Sequence, residues 1–348
     1  MTVEYYSNLA LVSSAAVYTL ATVVHAAEWA NARTPATAPT PSVTQVSTPA
    51  PARSLVPLGG PELLETPPPA AVEASPGHED KARARTRADD DDGGRVEVLG
   101  RAGTALTVVA FALNLSGVVL RGVAAGRAPW GNMLEFVTTA MVAIVGTYLL
   151  LAWRSRARWL GLPVAALAAL ANGLAVTVFY VAVAPLVPAL HSVWFLIHIM
   201  AATISAAAFN LGAVTALLYL VRTRRDRRVP QSAAPARTTY LDRLPDARRL
   251  DRMSYRFHAF AFPLWTFTVA AGAVWAQFAW GRYWGWDPKE TWALVTWVVY
   301  ACYLHARSTA GWKGRKAAVL ALVGVATFWF NFVGVNLLVS GLHSYAGV

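Results

Sequence analysis

Charged side chains are scarce in this sequence, where they make up only 14% of 348 residues while hydrophobic residues make up 56%. Soluble domains carry about 25% charged residues, and they need that charge to keep apolar surface patches apart. The mean hydropathy of +0.41 points the same way. The composition therefore argues against a soluble protein and predicts an all-α polytopic membrane protein.

Cysteine is almost absent, since Cys302 is the only one in the chain. A single thiol excludes an internal disulfide, a CxxC redox pair and a cysteine metal cluster. Cys302 lies in an apolar run, which predicts a small buried side chain. Any thiol redox chemistry must therefore come from a partner.

Long stretches lack Asp, Glu, Lys and Arg altogether, and a spanning helix needs about 20 apolar residues. These stretches are Tyr5–Ala27, Ala102–Leu120, Phe136–Trp153, Trp159–Val221, Phe257–Gly281, Thr291–Ala306 and Ala317–Leu338. The run Trp159–Val221 is long enough for two spans, and Pro185 and Pro188 predict the break between them. The sequence therefore predicts about eight transmembrane helices.

Residues 31–97 differ from the rest, because they hold 11 of the 20 prolines and the acidic run Asp89–Asp92. Such a segment buries too little apolar surface to offset its ordering entropy. It predicts a disordered, Pro/Ala-rich cytoplasmic linker between an N-terminal transmembrane anchor, residues 1–30, and a transmembrane domain, residues 98–348.

The net charge of +11 would make a soluble protein a candidate for nucleic-acid binding. Here the basic residues flank predicted spans, with 11 arginines in the loop of residues 222–256. Because Lys and Arg collect in cytoplasmic loops, the arginine-rich loops are predicted on the cytoplasmic side of the plasma membrane. Both termini are then predicted on the extracytoplasmic side. The charge therefore indicates orientation, not a nucleic-acid partner.

The extracytoplasmic loop before span seven is dense in tryptophan, with Trp280, Trp284, Trp286 and Trp292 in the sequence 280–292. An interfacial aromatic belt explains scattered indoles at span ends, but not this density in one loop. Flat indoles beside glycines suit stacking on a flat apolar ligand.

Few cations lie on the predicted outer side. Arg282 and Lys289 in the tryptophan loop, together with Arg121 and Arg127, could neutralise acidic groups on such a ligand. Asp287, followed by a proline, is also predicted to cap the helix that begins there.

His198 lies in an apolar span, and His343 follows the last span on the side of the tryptophan loop. Two imidazoles beside an aromatic platform predict a bis-histidine site for haem iron. The alternative for His198 alone is a hydrogen bond between helices. Deeper in the membrane, His305, with His25 as a weaker candidate, could hold a second ligand site, whereas His191 and His258 are expected at the interface.

Trp280–Asp287 resembles the WWD signature of the haem-handling proteins of cytochrome c biogenesis. The continuation Pro288–Trp292 is similar to the CcsA (ResC) branch, which belongs to system II. Other segments similar to that branch are Pro129–Phe136, Ser192–His198, Tyr303–His305 and Gly341–Tyr345. The resemblance does not support His25 as a ligand, because the counterpart of the transmembrane histidine usually lies on the partner subunit in this family, and the long linker is a departure from it.

The resemblance implies that His198 and His343 ligate haem b beneath the WWD loop and that His305 takes part in moving haem outward. It implies a CcsB (ResB)-type membrane subunit as partner, and thiol-reducing proteins. The thiols of an apocytochrome c CxxCH motif would add to the haem vinyl groups, which would make the chain a subunit of a haem–cytochrome c synthase. Three alternatives stay open: a haem exporter or chaperone without ligation, a b-type electron-transfer protein, and a transporter of another solute.

Overall fold

The computed structural model describes residues 2–32, 76–155, 157–227, 240–309 and 311–343, in which helices are present and strands are not. The predicted all-α fold is confirmed. The helices are α1 (Val3–Asn31), α2 (Pro76–Ala125), α3 (Met133–Ser155), α4 (Gly161–Thr177), α5 (Val193–Asp226), the short α6 (Tyr240–Arg243), α7 (Ala247–Trp280), α8 (Pro288–Ser308), α9 (Arg315–Trp329) and α10 (Val335–Leu338).

Seven stretches of the described residues are helical, long and apolar enough to cross a membrane. They are Val3–Asn31, Gly94–Ala125, Met133–Ser155, Arg158–Thr177, Val193–Asp226, Ala247–Trp280 and Arg315–Leu338. The run Trp159–Val221 supplies two of them, as predicted. Its two prolines lie between α4 and α5, where the backbone is not α-helical.

The predicted seventh span, α8, has 21 residues but is not among these seven. Its aromatic residues and the charges in its first and last turns lower its hydropathy. At one end, Arg307 donates to Asp251 at the start of α7, at 2.8 Å. At the other end, Asp287 accepts from His343, beyond the last span, at 2.7 Å. Helix α8 therefore runs between the same two ends of the bundle as its neighbours.

The two ends of the bundle differ in composition. One end, called the tryptophan end below, carries the loops of residues 126–132, 178–192, 281–287 and 339–343. The opposite, arginine end carries the described residues 240–246 and 311–314, together with residues 227 and 309. Helix α1 packs on α2 and α4, α5 packs on α7 and α9, and α3 bridges the two groups through α4 and α5.

Two expectations need comment. Residues 33–75 of the predicted linker lie outside the described residues, and from Pro76 onward the chain forms the start of α2. The prediction that Cys302 is buried is wrong, because its side chain is exposed. It lies on a face of α8 that is open to the surroundings of the bundle, where an apolar run serves lipid contact as well as a core.

Candidate functional site

A large cavity opens at the tryptophan end, between α3, α5, α7, α8 and α9, with about 1300 Å³ of empty space when its open mouth is counted. Both predicted ligand histidines, His198 and His343, line it. Its other walls are mainly apolar and aromatic, among them Trp275, Trp280 and Phe136. An apolar cleft with a few convergent polar groups is typical of a ligand site.

His198 is held by the backbone of α7. Ser192 caps the start of α5 through a hydrogen bond from Trp194 N at 3.2 Å, and His198 follows in the second turn. Its Nδ1 lies 2.8 Å from the carbonyl oxygen of Thr268. A carbonyl only accepts, so Nδ1 carries the proton and Nε2 carries the lone pair. Gly272 permits this approach, because a Cβ there would lie 2.8 Å from the imidazole.

His343 is held by the residue that caps α8. Its Nδ1 lies 2.7 Å from Oδ2 of Asp287, while Leu342 N donates to Oδ1 of the same carboxylate at 2.7 Å. Gly341 allows the chain this close, because a Cβ there would lie 2.8 Å from Oδ1. The bond to the carboxylate again places the proton on Nδ1 and the lone pair on Nε2.

The protonation states at neutral pH follow from this pairing. Burial lowers the pKa of His343 from its usual range, although the hydrogen bond to Asp287 opposes the shift. Burial raises the pKa of Asp287, but bonds from His343 and from the amides of Leu342 and Lys289 outweigh it and lower the pKa to about 2. Asp287 is therefore a carboxylate, and the imidazole beside it is neutral.

One indole contacts both histidines. The ring of Trp275 stacks on His198 with centroids 5.8 Å apart, and it meets His343 edge-on at 5.7 Å. Trp280 packs against His343 at 4.9 Å. Both imidazoles therefore pack against one indole, which can hold them in fixed orientations.

Glu290 shapes the tryptophan loop. Its Oε2 accepts from Gly285 N at 2.9 Å and from Asp287 N at 3.0 Å, the two residues that flank Trp286. Trp286 has a φ of 59°, in the left-handed region, which costs an ordinary residue about 1–3 kcal/mol. Because Asp287 and Glu290 also form a capping box on α8, the strained turn is tied to the start of that helix.

The loop residues fall into two groups. Trp280, Trp284 and Lys289 line the cavity; Lys289 donates from Nζ to Asn336 Oδ1 at 2.7 Å. Trp286 is 68% exposed and lies outside the cavity lining. Arg282 donates to Glu290 at 3.4 Å, so its charge is paired with an acid of the same loop and helix start.

Arg121 and Arg127, the other predicted outer cations, are tied to one acid. Arg121 is 1% exposed, and its Nε donates to Glu135 at 3.1 Å. Arg127 donates to the same carboxylate at 2.8 Å. Glu135 precedes Phe136 of the cavity wall, so this network holds the start of the helix that carries Phe136.

The remaining histidines lie away from the cavity. His25 is 1% exposed, with Nδ1 3.2 Å from Glu28 Oε2, whereas His305 is exposed in the last turn of α8. No contact among the described residues joins these two. His191 is exposed, as expected. His258 is 0% exposed, because α5 and α8 close over it within the bundle.

Sequence reasoning missed three contributors to the site: Thr268, Gly272 and Trp275. Thr268 contributes a carbonyl oxygen and Gly272 contributes space, and neither leaves a side-chain signal. Trp275 belongs to the dense group of tryptophans between Trp265 and Trp297. Its place in a span made it resemble ordinary core.

The part of the chain that matches known proteins includes every residue that lines the cavity. Residues 130–343 match the family described as Cytochrome C assembly protein. Cytochrome c biogenesis protein CcsA of Gloeothece citriformis is 36% identical over 291 residues, covering 72% of this chain and 88% of that protein. The CcsA protein of Microcystis aeruginosa is 37% identical over 288 residues, covering 71% and 87%, and that of Porphyra purpurea is 35% identical over 274 residues, covering 70% and 85%.

Proposed function

We propose that this chain, which belongs to the cytochrome C assembly protein family, binds haem b between His198 and His343 and presents it for covalent attachment to apocytochrome c. One observation carries the proposal. Two imidazoles line a single cavity, and each donates from Nδ1, which leaves the Nε2 lone pair as the ligand atom.

The residues present fit haem. A histidine that ligates metal commonly donates its other ring N–H to a carboxylate or a backbone carbonyl, and these two do so. Trp275, Trp280 and Trp284 supply flat apolar surface for the macrocycle. Lys289 is the basic residue that lines the cavity without a carboxylate bond of its own among the described residues, so it is the group proposed to meet a propionate.

Haem is the substrate here, and its vinyl groups supply the reactive double bonds. Each cysteine thiol of the apocytochrome CxxCH motif adds across one vinyl group: sulfur bonds to one carbon, the thiol proton goes to the other, and no net oxidation occurs. This chain contributes position. Fixed geometry can supply about 7–11 kcal/mol of a bimolecular barrier.

The reaction also needs partners. Because Cys302 is the only thiol in the chain, separate thiol-reducing proteins must keep the apocytochrome cysteines reduced. A CcsB (ResB)-type membrane subunit completes the proposed synthase. His305 lies on an exposed face of α8, where it can reach such a subunit and take part in haem transit. His25, held by Glu28 inside α1, α2 and α4, remains the weaker candidate.

The proposed orientation puts the tryptophan end outside the plasma membrane. The basic loops at the opposite end support it, since Lys and Arg collect on the cytoplasmic side. Apocytochrome is then met on the face that carries the WWD loop. Ser192→Cys and Lys313→Cys, each labelled in intact cells with a membrane-impermeant thiol reagent, test this orientation. Only the cysteine at position 192 should react.

The central test is purification of the chain with its partner subunit, followed by optical spectra. His198→Ala and His343→Ala should each lose the low-spin haem spectrum, whereas His191→Ala, a control at the same end, should keep it. Unaltered low-spin spectra in both variants would contradict the site. Haem capture without a thioether product, in a complex supplied with apocytochrome, would instead indicate an exporter or chaperone.

A further inference from the structure

The two histidines of the cavity differ in what their Nδ1 atoms contact. His198 donates to the neutral carbonyl of Thr268 at 2.8 Å, and His343 donates to the carboxylate of Asp287 at 2.7 Å. Hydrogen bonds to an ionised acceptor are roughly twice as strong as neutral ones. A carboxylate partner also raises the basicity of an imidazole ligand. The lone pair on His343 Nε2 is therefore the stronger donor.

Asp287 fixes the backbone beside His343 as well as the ring. Its Oδ1 accepts from Leu342 N at 2.7 Å, and Gly341 lies close enough that a Cβ there would contact the same oxygen at 2.8 Å. The carboxylate also caps α8, with Lys289 N donating to Oδ2 at 3.2 Å. The segment after the last span is therefore anchored to the tryptophan loop through one side chain.

The contacts that hold the His198 ring do not involve Nε2. Its Nδ1 bond to α7 and its stacking on Trp275, with centroids 5.8 Å apart, both remain when Nε2 releases whatever it binds. Its place in α5, packed against Gly272, keeps the ring from following a departing ligand. An incoming imidazole therefore has one weaker bond to replace, and that bond is to His198.

We propose that His343 is the axial ligand that the site retains, that His198 is the one an incoming imidazole replaces, and that Asp287 is the positioning residue that sets this order. This inference rests on the proposed function, because it assigns unequal roles to the two proposed ligands. The incoming imidazole is the histidine of the apocytochrome CxxCH motif.

Glycine variants of each histidine test the order in the complex with the partner subunit, loaded with haem b. With the haem iron reduced, His198→Gly should keep its haem on His343. His343→Gly should bind haem roughly 10–100-fold less tightly, because the remaining ligand, His198, has no carboxylate hydrogen bond, and loss of such support costs affinity in that range. Resonance Raman spectra should show a higher iron–imidazole stretching frequency in His198→Gly than in His343→Gly.

The double variant with Asp287→Asn and His198→Gly tests the hydrogen bond between His343 and Asp287 by itself. An amide oxygen still caps a helix but cannot accept the bond with the strength of a carboxylate, so the iron–imidazole frequency should fall. A merely structural role would not move that frequency. Gly341→Ala is the second variant: it leaves Asp287 and both histidines unsubstituted, but its Cβ would press on Oδ1 of Asp287 and weaken the bond between that carboxylate and His343, so it should lower the frequency too.

The outcomes separate the two ideas. A wild-type complex that binds no haem contradicts the proposed function and the inference together. A wild-type complex with normal low-spin haem, combined with equal retention and equal frequencies in the two glycine variants, overturns the order while leaving the site intact. Tighter retention by His343→Gly would reverse the order.

Discussion

Two histidines on the α5–α7 pair each bond a backbone carbonyl and press on a glycine, but His198 lines the cavity described above and His258 does not. His198 on α5 donates to Thr268 O at 2.8 Å, and His258 on α7 donates to Ser254 O at 2.7 Å. Each presses on a glycine of the opposite helix: a Cβ would come within 2.8 Å of His198 at Gly272, and within 2.5 Å of His258 at position 212.

The difference lies in front of Nε2. His198 faces the cavity that it shares with His343. His258 is enclosed by Tyr300 and Tyr303, whose ring centroids lie 5.2 and 4.9 Å away, and its Nε2 has no hydrogen-bond partner among the described residues. An intramembrane histidine is therefore not evidence of a ligand site by itself. The open space before its second nitrogen is what distinguishes a candidate ligand.

The largest expected contrast comes from removing the two imidazoles. His198→Ala should abolish the low-spin haem spectrum of the complex, because one of two proposed axial ligands is lost. His258→Ala should leave that spectrum unchanged and lower the thermal midpoint, because it leaves a cavity inside the bundle. Optical spectra and melting curves of both variants, purified with the partner subunit, make the comparison.

A His258→Ala complex with reduced haem content but an unchanged melting curve would break the contrast. It would show that the enclosed histidine also acts on the ligand. Wild-type protein and His191→Ala serve as controls, since His191 is exposed at the tryptophan end and its Nε2 lies 3.2 Å from the Leu186 carbonyl.

The second contrast adds one methyl group beside each histidine. Gly272→Ala and Gly212→Ala should each destabilise the bundle by about 1–3 kcal/mol, the usual cost of overpacking. Only Gly272→Ala should also change haem binding, because it pushes His198 away from Thr268. Haem titration of both variants, at matched folded fractions, measures this. Equal haem affinities would mean that the position of the His198 ring does not matter.

Much of the fold followed from composition, because lipid demands long apolar helices and basic residues mark the loops. The paired placement of His198 and His343 also followed, since both lay near the tryptophan loop on one predicted side. The sequence could not show what Nδ1 of His198 contacts, because the Thr268 carbonyl belongs to the backbone. Nor could it separate His258 from an interfacial histidine, since enclosure depends on how α5 and α8 pack.

Charge pairing was the other hidden feature. Arg121, Arg127 and Arg282 had the sign and the side expected of groups that meet an acidic ligand. Glu135 and Glu290 take up these charges inside the protein, and which acid meets which arginine depends on loop geometry that residue spacing does not reveal. Lys289 remains a candidate to meet an acidic group of the ligand, because its side chain donates to the amide oxygen of Asn336 and not to a carboxylate.

The smallest expected effect lies on the enclosed side of the comparison. Tyr300 is 0% exposed, and its hydroxyl has no hydrogen-bond partner among the described residues. Tyr300→Phe removes that hydroxyl but keeps the ring stacked on Phe209, where the centroids are 3.9 Å apart. It should raise the free energy of unfolding by about 1 kcal/mol and leave the haem spectrum unchanged. A loss of stability would mean that the hydroxyl is hydrogen-bonded in the folded protein, and the enclosed histidine would then belong to a polar site, not to apolar packing.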